Sequence, residues 1–137
     1  MMLSGGCLCG AVRYRITAAP LMTRACWCRV CQYIGAGSAT VNSLFPVAAV
    51  HIEGELADFP NLADSGNHMH RRFCAKCGTH VCASADERPQ VLVVRVGTLD
   101  DPQAVTPAMT IWTASAPPWA CIDSALPTTP AQPPPVG

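Results

Sequence analysis

Gly6-Cys7-Leu8-Cys9-Gly10-Ala11-Val12-Arg13-Tyr14-Arg15-Ile16 joins a pair of close cysteines to a run in which apolar and basic side chains alternate. Alternation with a period of two marks a half-buried strand. Thiols one or two residues apart sit on one short knuckle of backbone and can grip a single metal ion together. The same arrangement returns at Cys74-Ala75-Lys76-Cys77-Gly78, between candidate strands over residues 67–73 and 79–84. Each knuckle closes on a glycine, which permits the tight turn that aims backbone N–H groups at thiolates. Strands interrupted by metal knuckles predict an all-β fold stapled by zinc.

The rest of the chain supports that reading. Residues 38–45 and 47–52 are short apolar or β-branched runs separated by Pro46, and residues 108–113 form a last candidate strand. Val91-Leu92-Val93-Val94-Arg95-Val96 is too continuously apolar for a surface strand and belongs at the centre of a sheet. Helical periodicity is absent over any long stretch, although residues 29–34 suit a single turn. From residue 127 to 137 five of eleven positions are proline, which cannot pair in a sheet. The expected organisation is therefore a zinc-binding β domain over 1–126 and a disordered proline-rich tail over 127–137.

Composition narrows the function. In 137 residues, nine basic side chains balance nine acidic ones, so no charge excess steers the chain to nucleic acid or to an anionic membrane surface. No apolar run approaches the ~20 residues needed to span a bilayer. Residues 1–6 carry neither the basic nor the apolar segment of a secretory signal. These features favour the cytoplasm, where thiols stay reduced and close cysteine clusters serve metal binding or catalysis. An odd total of nine cysteines also argues against a complete disulfide framework.

Seven of those cysteines fall into three clusters. The pairs Cys7/Cys9 and Cys74/Cys77 make a closed four-sulfur set of structural type. Cys26-Trp27-Cys28-Arg29-Val30-Cys31 leaves a three-sulfur set in need of a fourth ligand. Three thiolates make zinc a poor activator of water but keep a bound thiolate charged and nucleophilic, so this set suits capture of a substrate thiol. Alternatively, Cys82 approaches across the sheet and closes the set, or simply packs as a small hydrophobe, as expected for Cys121. His68 and His70 share one strand face, as do His80 and Cys82, which admits metal or acid–base roles as well as plain structural ones. Arg71-Arg72 offers charge to a carboxylate, although an exposed strand face explains the pair equally.

The order of these motifs resembles the glutathione-dependent formaldehyde-activating enzyme (GFA) family. The resemblance rests on Gly6-Cys7-Leu8-Cys9-Gly10-Ala11-Val12-Arg13-Tyr14, on Cys26-Trp27-Cys28-Arg29-Val30-Cys31-Gln32, on Arg72-Phe73-Cys74-Ala75-Lys76-Cys77-Gly78-Thr79-His80, and on Ile111-Trp112 with Pro118-Trp119. It implies a complex β fold of GFA type with two zinc ions per chain. Cys7, Cys9, Cys74 and Cys77 match the structural site, and Cys26, Cys28 and Cys31 match the catalytic one. The implied activity is that of a carbon–sulfur lyase joining formaldehyde to glutathione as S-hydroxymethylglutathione. Its expected partners are a glutathione-like thiol and an aldehyde. Position 27, often histidine in the family, is Trp27 here, placed to wall the pocket or stack on a substrate. Two other functions fit the cysteines: a non-catalytic zinc scaffold for protein binding, and thiol–disulfide exchange at Cys74/Cys77, which lacks the βαβ context of that motif.

Overall fold

A computed structural model describes residues 2–137. In chain order its elements are β1 (Leu3–Gly6), β2 (Arg13–Ile16), β3 (Met22–Cys26), α1 (Arg29–Ile34), β4 (Thr40–Pro46), β5 (Val50–Glu53), β6 (Leu56–Leu62), β7 (His68–Cys74), β8 (His80–Ala85), β9 (Arg88–Arg95) and β10 (Met109–Ile111). They form a three-stranded sheet, β1-β2-β5, and a seven-stranded sheet, β10-β3-β4-β9-β8-β7-β6. The fold is all-β, and its one α-helix is the single turn expected after Cys28.

The alternating run behaves as its pattern requires. In β2 Arg13 and Arg15 face solvent while Tyr14 and Ile16 are buried. Tyr14, Ile16, Leu3 and Val12 from the small sheet side meet Phe45, Val81, Leu92 and Val94 from the large sheet in one core. β9 lies fourth of seven strands, at the centre, as its continuous apolar run demands. Three strands escape the sequence pattern. β1 ends in two glycines and β3 lacks alternation, while β6 contains Pro60, which is tolerated because β6 is an edge strand.

Two expectations need correction. Residues 47–52 do not form one strand: Pro46, with φ −57°, turns the chain into a 3-10 turn at Val47–Ala49 before it crosses to the small sheet as β5. The proline-rich segment 127–137, expected to be disordered or loosely held, is bonded in place instead, residues 127–130 to β10 and the turn after it and residues 136–137 to Arg88 and Gln90. Thr110 N–H donates to the Pro127 carbonyl and Thr129 N–H to the Thr110 carbonyl, each at 3.0 Å. Prolines forbid the tail a regular ladder, yet the residues between them keep enough donors to bond it in place.

The histidine pair on β7 is a surface feature. His68 meets Glu87, and His70 sits between Asp58 at 2.7 Å and Asp86 at 3.0 Å. A protonated His70 donates through one ring nitrogen to each carboxylate, and Asp58 above all raises its pKa above the ordinary histidine value. The stabilisation is therefore fully present below about pH 6.5 and fades as pH rises through the raised value. An NMR titration of the ring is expected to show that upward shift, reduced in Asp58→Asn; an unshifted ring in the native protein contradicts the pairing. In the core, Phe45→Ala is expected to cost about 3–5 kcal/mol in denaturant unfolding, since Phe45 is wholly buried.

Candidate metal centres and their cleft

Cys7 and Cys9 lie on the turn joining β1 to β2, and Cys74 and Cys77 on the turn joining β7 to β8. The two turns are built alike. Gly10 N–H returns to the Cys7 carbonyl and Gly78 N–H to the Cys74 carbonyl, with the glycines at φ +82° and +75°. That left-handed backbone is available to glycine without strain. It frees other N–H groups for sulfur: Val12 donates to Cys7 Sγ at 3.2 Å, and Lys76 and Cys77 donate to Cys74 Sγ at 3.3 and 3.4 Å. Thr79 links the turns, accepting from Leu8 N–H and lying 3.1 Å from Cys77 Sγ. Its hydroxyl, its own N–H and that of Cys9 hold the Cys77 thiol down at about 5.

The four sulfurs lie within 4.8 Å of one another. A tetrahedron of 2.3 Å zinc–sulfur bonds has edges of about 3.8 Å. The Cys7–Cys9 and Cys9–Cys74 sulfur separations are 3.6 and 3.8 Å. The donor set and its spacing therefore fit a closed tetrahedral ion. Cys7 and Cys74 are buried, whereas Cys9 and Cys77 face solvent.

The three-sulfur set is built differently. Cys26 ends β3, and Cys28 caps α1 by accepting from Cys31 N–H at 3.3 Å. The Sγ atoms of Cys26, Cys28 and Cys31 also lie within 4.8 Å of one another. Among the described residues no other histidine, cysteine or carboxylate ligand atom joins them. β10 pairs in parallel with β3, setting Ile111 beside Cys26, and Trp27 N–H donates to the Ile111 carbonyl at 3.0 Å. Buried Gln32 ties the loop down, donating to the carbonyls of Trp27 at 2.8 Å and Ser115 at 3.0 Å. Charge is shared unevenly among the sulfurs. Cys28 and Cys31, with burial, push Cys26 up. Hydrogen bonds from Cys26 and Cys28, then the Thr40 hydroxyl and the Arg95 charge, hold Cys31 down at about 2. A cation among three such thiols relieves that competition by favouring the thiolate on all of them.

The trio opens onto a cleft whose other walls come from β3, β4, β7, β8 and β9. Arg24, Arg71, Arg88 and Arg95 line it, with Asp64 as the acidic residue on its wall. Trp112 also lines the cleft and packs on the trio. It holds a left-handed backbone, φ +59°, which is uncommon for a bulky residue and recurs at functional sites. Its indole N–H donates to Gln132 in the tail at 3.0 Å.

Trp27, expected to wall the pocket, is buried away from the cleft lining, and Trp112 takes that place. Cys82 does not close the trio. It is buried in the main core beside Cys7 and Cys74, within β8. Cys121 is exposed rather than packed. His68, His70 and His80 join neither sulfur set. Arg71 and Arg72 point to opposite sides of β7, as strand alternation requires: Arg71 lines the cleft, while Arg72 donates to Ser84 at 3.0 Å. Residues to which the sequence reading gave no role are Thr79, Trp112 and Arg95, each quoted within a motif, and Arg24. An arginine inside the most apolar run was the signal for Arg95, because a buried charge must find a partner.

The sequence matches the family model described as glutathione-dependent formaldehyde-activating enzyme over residues 2–115. A Halomonas elongata protein named as a candidate glutathione-dependent formaldehyde-activating enzyme is 30% identical over 87 residues, covering 58% of this chain and 54% of that relative. The match thus spans about half the relative's length. The crystal structure of a Rhodobacter sphaeroides protein superposes with a TM-score of 0.59 at 21% identity, over 76% of this chain and 91% of that one. At that identity the likeness is one of fold.

Gln32→Leu is expected to destabilise the chain by about 1–3 kcal/mol, because a buried and a half-buried carbonyl lose their donor. Denaturant unfolding measures the loss. An unchanged midpoint contradicts the role given to Gln32.

Proposed function

The chain belongs to the glutathione-dependent formaldehyde-activating enzyme family, and from that premise we propose that it forms or cleaves adducts between a small organic thiol and an aldehyde. S-hydroxymethylglutathione is the adduct the family name points to. The observation that carries this reading is the contrast between the two cysteine sets. Four sulfurs from two knuckles complete a tetrahedron, while three sulfurs face a cleft with no fourth side-chain ligand among the described residues.

On this reading Cys7, Cys9, Cys74 and Cys77 hold a structural zinc ion, and Cys26, Cys28 and Cys31 hold a catalytic one. Bound to the trio, zinc supplies a Lewis-acid position that keeps a thiol ionised near neutral pH. The chain's own residues do the rest. The Cys31 N–H holds the Cys28 sulfur in place, and Gln32 and Ile111 fix the loop that carries the trio. The cleft receives the thiol next to the aldehyde. The thiol gives up its S–H proton, the thiolate lone pair forms the new carbon–sulfur bond, the carbonyl π pair moves to oxygen, and oxygen takes up one proton in balance with the one released. Cleavage runs the same path backwards. A cytoplasmic setting suits this chemistry, and no helix among the described residues is long and apolar enough to cross a membrane.

Elemental analysis of the purified protein is expected to find two zinc ions per chain, one for each cysteine set, and one in Cys28→Ser. Exchange NMR of glutathione with ¹³C-formaldehyde is expected to show faster adduct exchange with the native protein. In Cys28→Ser the exchange falls back to the uncatalysed rate. One inert ion, or no acceleration with any small thiol, supports the non-catalytic scaffold instead.

A further inference from the structure

We infer that Arg95 seats a carboxylate of the thiol substrate, so that the cleft selects anionic thiols over neutral ones. This deepens the thiol–aldehyde reading and rests on it.

Arg95 ends β9 in the centre of the large sheet, only 7% exposed. Its Nη1 donates to Asn42 Oδ1 across the strand pair at 2.7 Å. Its Nε and Nη2 are buried without a partner. Buried guanidinium donors are ordinarily satisfied, and an orphaned pair on a cleft wall calls for an occupant. The neighbouring cations are also short of acids. Among the described residues, the ion pairs involve Arg13 and three histidines, and none involves Arg24, Arg71, Arg88 or Arg95. Arg71 donates to the Asn61 amide oxygen at 2.9 Å, and Arg88 to the carbonyls of Val136 and Gly137.

The charges on the cleft wall can be followed one by one. Four arginines face one aspartate on the cleft wall. A divalent ion on three thiolates adds one negative charge, and an incoming thiolate adds another. Arg88 is taken up by the oxygens of Val136 and Gly137, so among the cleft arginines Arg95 stands out by its two unpartnered donors rather than by surplus charge. The guanidinium presents its N–H groups as a planar fork that matches a carboxylate's two oxygens.

Arg95 also faces the trio through a chain of polar contacts: Asn42 donates to Thr40 at 2.9 Å, and Thr40 lies against Cys31. An arginine that served only to tune the sulfurs would affect every thiol alike. An arginine that binds the substrate's carboxylate affects most the thiols that carry one.

Calorimetric titration of the zinc-loaded protein with 3-mercaptopropionate, 2-mercaptoethanol and propionate separates the two roles. The native protein is expected to prefer mercaptopropionate to mercaptoethanol, with propionate competing for the same place. Arg95→Gln is expected to lose roughly 10- to 100-fold more affinity for mercaptopropionate, the worth of a charged hydrogen bond, than for mercaptoethanol, whose smaller loss reports the altered charge beside Cys31. Arg95→Lys, which keeps the charge without the fork, is expected to recover part of the loss. Equal loss for both thiols, or no preference in the native protein, overturns the seat while thiol capture stands. Binding of propionate through Arg95 with no binding of mercaptoethanol sustains the seat and removes the thiol-capture reading. Circular dichroism checks that the variants fold. If Arg95→Gln does not, the native preference and its reduction in Arg95→Lys decide the matter.

Discussion

Four sulfurs from the turns of two different sheets converge to within 4.8 Å of one another, and the architecture is arranged around that convergence. The small sheet has four-residue strands and meets the large one through a single core. Cys7 and Cys74 belong to that core, so the knot is continuous with the packing it secures. A structural zinc ion contributes about 10–16 kcal/mol of apparent binding free energy, comparable to the roughly 5–15 kcal/mol that separates a whole domain from its unfolded state. The same residues without a cation leave four thiols crowded at the end of the core, two of them exposed to oxidation.

The second set presents the same donor chemistry in a different arrangement. A knuckle pair brings its sulfurs together by two nearly identical glycine turns. The trio is assembled from a strand end, a helix cap and a helical residue, braced by the parallel contact of β10 with β3. Such a bracing leaves one side of the sulfurs open to a cleft. The Arg95–Asn42–Thr40 chain runs from the middle of the large sheet to Cys31. Changes in charge at the trio are therefore felt by buried polar groups in a medium that screens them poorly.

Much of this was legible in the sequence because it depends on local rules. Period-two alternation placed β2, continuous apolarity placed β9 at the sheet centre, and cysteine spacing separated the four-sulfur from the three-sulfur set. The failures have a common cause, since long-range pairing settles what local pattern leaves open. β6 carries a proline that only an edge position accommodates, and β1 reads as a glycine turn until β2 pairs with it. The proline-rich tail looks structureless until β10 offers it carbonyls and donors. Trp27 and Trp112 changed places for a related reason: adjacency to the cysteines in sequence says little about which indole faces the cleft. Arg95 was quoted within its apolar run without its consequence being drawn.

Zinc X-ray absorption, recorded on the purified protein before and after addition of a small thiol, tests the central claim most directly. The account predicts sulfur coordination averaging below four at first, rising to four once the thiol is bound, with the rise lost in Cys28→Ser. Full sulfur coordination at the outset, or an average that no thiol alters, contradicts it.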